Sequence, residues 1–246
     1  MSAAEAVKKL GSRHHLQRFE SPSRGFSGVL HVAGLICFYI DFKYLVDHPN
    51  VINDSYGWHL QYLTIIGLSI SALCFTCALL ADTLSSPLLF TLKNYLALIA
   101  TPIEILISLL YWGLRAIDPQ LVVPPDLPML PLATDFAFHL FPSVLLTLDT
   151  LLLSPPWPTA PTPPTASFAL LTSSTVLAFA YWFWIELCYS HNGFYPYPIF
   201  ALLDTWQRVG LFALSGITMW IVAAGLRAVY AVVNGVEEGS LGVKRE

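Results

Sequence analysis

Charge is scarce in this chain: 12 Lys or Arg and 16 Asp or Glu make up only 11% of its 246 residues. The basic residues form no patch suited to nucleic acid, and a net charge of −4 is small. Internal repeats of the kind that mark many transporters are missing. No removable signal peptide is evident. The first apolar run starts near residue 27, after Lys8, Lys9, Arg13, Arg18 and Arg24, and is expected to stay as an anchor. Cysteine is rare too. Cys37, Cys74, Cys77 and Cys188 all lie in apolar segments, and the Cys-x-x-Cys at 74 to 77 has no second ligand pair. Buried packing is therefore expected there rather than zinc or redox chemistry.

Apolar residues are what the chain has in excess. A hydrophobic fraction of 55% and a mean hydropathy of +0.62 exclude disorder and an ordinary soluble domain. They point to an all-α, polytopic membrane protein. Spanning about 30 Å of hydrocarbon takes about 20 helical residues. Six segments qualify, near 27–47, 58–80, 88–113, 132–153, 166–189 and 207–233. They must be helical, because lipid leaves unpaired backbone groups without partners. One membrane domain over 27–233, flanked by tails at 1–26 and 234–246, is the economical organisation.

Two connections are rich in proline. Pro119, Pro124, Pro125, Pro128 and Pro131 predict an extended, non-helical loop over 117–131 that caps the bundle. Residues 154–165 read as an uncharged spacer. Orientation follows from Lys and Arg near the span ends. The amino-terminal five, Lys93, Arg227, Lys244 and Arg245 lie on one side, against Lys43, Arg115 and Arg208 on the other. That bias predicts both termini in the cytosol. The host membrane is expected to be the endoplasmic reticulum or the plasma membrane, a choice that the charge bias does not make.

Ionisable residues inside lipid-length segments are functional candidates by default. His139 lies one helical turn after Asp135 in the fourth span. On the predicted topology, spans two and four enter from the same side. Thr64, counted from Trp58, lies roughly 9 Å deep, and His139, counted from Leu132, roughly 10 Å deep. The two could meet if these spans are neighbours. His59, Gln61, Glu104, Asp135, Glu186, His191 and Asn192 fall on the same side, whereas the cytosolic half is poorer, with His31, Asp149 and a few hydroxyls. That crowding suggests a polar pocket closed at one end.

Such a set suits acyl transfer. A threonine hydroxyl needs a base, and an imidazole can supply it. Asp135 could hold the ring's tautomer, or Glu104 or Glu186 instead. Asn192, Gln61 and His59 are candidate oxyanion donors. Pro142 is expected to bend span four beside His139, and Pro102 to bend span three. Simpler roles stand beside these. A membrane threonine usually bonds the carbonyl four residues back, here Leu60. Glu104 and Glu186 could be interhelical glue, and Asp41 and Lys43 could snorkel to the interface. A transporter or channel with an intramembrane His and carboxylate path remains an alternative, as does a non-catalytic lipid-binding protein.

The order of several short motifs resembles the androgen-induced protein family. They are Tyr62-Leu63-Thr64-Ile65-Ile66, Ala81-Asp82-Thr83-Leu84-Ser85, Pro102 with Tyr111-Trp112, and Asp135-x-x-x-His139 followed by Pro142. Tyr181-Trp182-Phe183-Trp184 leading to Asn192-Gly193-Phe194-Tyr195-Pro196-Tyr197-Pro198 completes the set. The resemblance implies a six-span membrane hydrolase of fatty acid esters of hydroxy fatty acids. It also implies a catalytic threonine and histidine matching Thr64 and His139, and no metal or organic cofactor. The partners implied are a lipid ester and membrane lipids. Asp135 stands where asparagine is common in that family, and Tyr189 and Ser190 where histidines stand, with His191 nearby. The proline-rich loops point to a fungal member.

Overall fold

The computed structural model describes residues 25–124, 127–154 and 164–234, with side chains from residue 168 onward in the last stretch. The basic tail, most of the second proline-rich segment and the residues after 234 lie outside the described residues. Six helical stretches are long and apolar enough to cross a membrane, and no strand occurs among the described residues. The chain is a helical membrane protein.

The elements are α1 (Phe26–Asp47), α2 (Leu63–Leu84), α3 (Pro87–Ile117), α4 (Leu132–His139), α5 (Phe141–Leu152), α6 (Pro164–Asn192), α7 (Ile199–Leu202) and α8 (Thr205–Asn234). Helix α2 packs between α1 and α3, α5 joins α3, and α8 bridges α3 and α6. Phe38, Leu68, Phe75, Ala97, Ala100 and Leu146 fill the centre of the α1–α2–α3–α5 group. Gly34 permits this, since a Cβ there would lie 2.4 Å from the Phe75 ring. Many large apolar residues, such as Val29, Tyr39 and Ile221, face outward, as lipid-facing surfaces require.

Three sequence expectations need correcting. The second span does not begin at Trp58. Residues Trp58–Gln61 form a short 3₁₀ turn, and α2 starts at Leu63. Gly57 sets the turn by adopting φ 86, ψ −8, a conformation that disfavours a side chain. The loop at 117–131 is not wholly extended either. Pro119–Leu121 is a 3₁₀ turn, compatible with a proline at its first position and capped by Asp118 accepting from the Gln120 amide at 2.9 Å. Asp41 does not reach the interface. It is buried in α1 and neither carboxylate oxygen has a hydrogen-bond partner among the described residues, whereas Lys43 pairs with Asp47 at the surface.

Span four is interrupted beside His139, at the place where Pro142 was expected to disturb it. Leu140 leaves helical geometry at φ −131, ψ −50, ending α4 at His139 and restarting the helix at Phe141 with Pro142 in the first turn. Pro102, by contrast, is accommodated within an uninterrupted α3.

Candidate functional site

Thr64 is the second residue of α2, so it occupies the first turn, where backbone N–H groups lack intrahelical acceptors. Its hydroxyl lies 3.4 Å from that of Tyr197, in the segment after α6. The back-bond to Leu60 is not made. The helix starts too late for it, and the Leu60 carbonyl instead accepts the Trp184 indole at 2.8 Å. Tyr181 holds the start of α2 in place, accepting from the Leu63 amide at 3.1 Å and donating to the Gln61 carbonyl at 2.8 Å.

His139 is the last residue of α4, placed there by the break at Leu140. Its Nδ1 is 2.9 Å from Asp135 Oδ1 and 3.2 Å from the Asp135 carbonyl. Both partners accept only, so Nδ1 carries the proton and the Nε2 lone pair is left free. Asp135 is fully buried and its other oxygen is ion-paired with Arg115 of α3. The imidazole stacks on Tyr111, with ring centroids 3.4 Å apart. The Trp112 indole donates to the His139 carbonyl at 3.3 Å, tying α3 to the end of α4.

Thr64 and His139 line the same cavity, of about 290 Å³. Its lining includes the polar side chains of His48, Asn50 and His59, and Val122, Pro124, Leu127 and Leu130 of the proline-rich loop wall it. A second cavity, of about 350 Å³, lies between α2, α3, α6 and α8 and is lined almost wholly by aliphatic and aromatic side chains. Thr64, Tyr111, Val122 and Tyr197 line both cavities, so Thr64 belongs to the stretch of wall that they share.

The other candidates separate into two groups. Asp135 and His59 belong to the site. His59 lines the cavity with its Nε2 3.2 Å from Asn53 Oδ1, and burial lowers its pKa, which keeps the ring neutral. Glu104, Glu186, Gln61 and Asn192 have structural partners instead. Glu104 accepts from Ser71 across the α2–α3 contact at 2.9 Å, close enough only because Gly67 of α2 has no side chain. Glu186 accepts from Trp182 and Tyr195 and pairs with Arg208 of α8. Asn192 donates to the Tyr56 carbonyl and to Gln61 Oε1, while Gln61 donates to Ser55 and the Trp58 carbonyl, stapling the loop before α2. His191 is exposed and stacks on Tyr56 at 4.1 Å.

Tyr197, Tyr111 and Arg115 were not singled out from sequence as site residues. Burial raises the Tyr197 pKa, outweighing its bonds to Thr64, so the phenol remains a donor at neutral pH. Its place inside the Tyr195-Pro196-Tyr197-Pro198 motif was the available signal.

The opposite end of the bundle is also polar, contrary to the crowding expected from sequence. His31 of α1 bridges Asp82 of α2 at 2.8 Å and Asp149 of α5 at 3.0 Å, and Lys93 of α3 meets Asp149 at 2.6 Å and Ser154 at 3.3 Å. Four helices contribute, so no stretch of sequence displays the cluster. Lys93, counted above as a flanking positive charge, is buried in this network. None of these residues lines either large cavity. The four cysteines are free, and Cys74, Cys77 and Cys188 are buried.

Fold and site together define a six-helix membrane protein with a cavity lined by Thr64 and His139. Residues 26–231 match the FAR-17a/AIG1-like protein family, and the chain belongs to it. It is 34% identical over 219 residues to UPF0641 membrane protein PJ4664.05 of Schizosaccharomyces pombe, covering 87% of this chain and 96% of that protein. That relative is fungal. No solved structure matches the chain.

Proposed function

We propose that the protein is a membrane ester hydrolase that cleaves fatty acid esters of hydroxy fatty acids, with Thr64 as nucleophile and His139 as general base. The observation that carries this reading is the presence of both side chains on one cavity wall, with a carboxylate on the far nitrogen of the imidazole. Nε2 of His139 takes the Thr64 proton as Oγ attacks the ester carbonyl. It then returns that proton to the leaving alkoxide as the C–O bond breaks. Water next attacks the acyl-threonine, with His139 again the base, releasing the acid and restoring the hydroxyl.

Asp135, anchored by Arg115, is a positioning residue that fixes the tautomer. The Tyr197 phenol, 3.4 Å from Thr64, is the supported oxyanion donor, helped by the positive end of the α2 dipole. Apolar walls favour acyl chains by ~0.8 kcal/mol per buried CH₂. The same reading places the protein in the endoplasmic reticulum or plasma membrane with both termini cytosolic, working on lipid from its own bilayer.

The test is hydrolysis of palmitoyl-hydroxystearic acid by purified protein, alongside labelling with a fluorophosphonate probe. Turnover and labelling are expected, and both should vanish in Thr64→Ala and His139→Ala while the proteins remain folded. Labelling that persists in Thr64→Ala moves the nucleophile elsewhere and ends the proposal.

A further inference from the structure

The two large cavities among the described residues share Thr64 in their lining, and they differ in chemistry. Among the described residues, the one between α2, α3, α6 and α8 is lined by no charged or histidine side chain. Ile70, Leu106, Leu177 and Met219 are typical of its wall, and its few hydroxyls belong to Thr64, Ser215 and tyrosines. Placing an ionised carboxylate there would strip its hydration without compensation. The other cavity has His48, Asn50 and His59 in its lining.

His139 adds a second, independent constraint. Of the two, it lines only the cavity that also holds His48, Asn50 and His59. A general acid must reach the leaving oxygen, so the alcohol half of the ester has to lie on His139's side of Thr64. The acyl half is then left to the apolar cavity.

We infer that the site divides its substrate at Thr64: the acyl chain enters the apolar cavity, and the alcohol half, carrying a polar or ionised end, occupies the cavity shared with His139. This rests on the hydrolase reading above. It makes Ala178 of α6 and Ser215 of α8, on the apolar wall, determinants of acyl length. Leu45 of α1 and Leu130, on the other wall, become determinants of the alcohol half.

The experiment uses full-length protein in detergent or vesicles. The substrates are hydroxystearic acid acylated with acetate, octanoate or palmitate, and the same esters with the carboxylate methylated. Ala178→Phe and Ser215→Leu should each lower the palmitate-to-acetate ratio of kcat/KM by about tenfold or more, since each displaced methylene loses its burial. Both should leave the preference for free over methylated carboxylate as it was. Leu45→Trp and Leu130→Trp should do the reverse, altering discrimination in the alcohol half while keeping the acyl profile. Two variants per wall guard against one that fails to fold. The opposite pattern, with apolar-wall variants changing carboxylate discrimination, overturns the division while leaving Thr64-dependent hydrolysis intact. Absence of Thr64-dependent hydrolysis in the unaltered protein overturns both.

Discussion

Replacing Tyr197 by Phe removes one oxygen and little else. The Tyr197 ring contacts Tyr62 at 5.3 Å and Phe200 at 5.7 Å, and a phenylalanine preserves both. At 3.4 Å the bond to Thr64 is long and weak in the resting protein. Its loss should therefore cost stability no more than about 0.5–1.5 kcal/mol. If the phenol donates to the oxyanion, the effect on chemistry is far larger. Losing one such donor costs roughly 10²–10³ in kcat, or about 2.7–4 kcal/mol of transition-state stabilisation. The substrate's apolar contacts are untouched, so KM should stay close to that of the unaltered protein. Steady-state hydrolysis of palmitoyl-hydroxystearic acid, with thermal unfolding in the same detergent, separates the two quantities. A Tyr197→Phe protein with full kcat, under conditions where Thr64→Ala is dead, would refute the assignment of this hydroxyl.

Asp135→Ala should cut kcat by about 10²–10³, less than the roughly 10⁴ seen when a triad carboxylate is lost, because the Asp135 carbonyl still accepts from Nδ1; an altered pH–rate profile would distinguish positioning from packing. Lys93→Met breaks a buried ion pair and should destabilise the fold by roughly 3–5 kcal/mol in chemical denaturation, with turnover per folded molecule retained, since the cluster lines neither cavity. His59 contributes an acid-sensitive component. Burial holds its folded pKa below the ordinary value of 6.5, so protonation favours the unfolded chain. That stability is fully present above about pH 6.5 and is lost as pH falls through the lower folded value. His59→Gln should flatten the unfolding temperature over that acid range, and an unchanged slope would show that His59 is not responsible.

Composition and the lengths of the apolar runs specify six helices, since twenty-odd apolar residues in lipid have no other way to satisfy their backbone. Proline is a weaker guide: Pro142 coincides with the break beside His139, whereas Pro102 sits inside an unbroken α3, because neighbouring groups can satisfy the freed carbonyl. The i, i+4 contact of Asp135 with His139 is local and legible. Longer-range partnership is not. Whether Glu104 meets His139 or Ser71, and whether Asn192 faces the cavity or staples a loop, depends on which helix faces are in contact. Tyr197 reaches Thr64 across 133 residues, and His31 reaches Asp149 across 118. Packing in three dimensions sets those distances, and hydropathy along one chain carries no record of them.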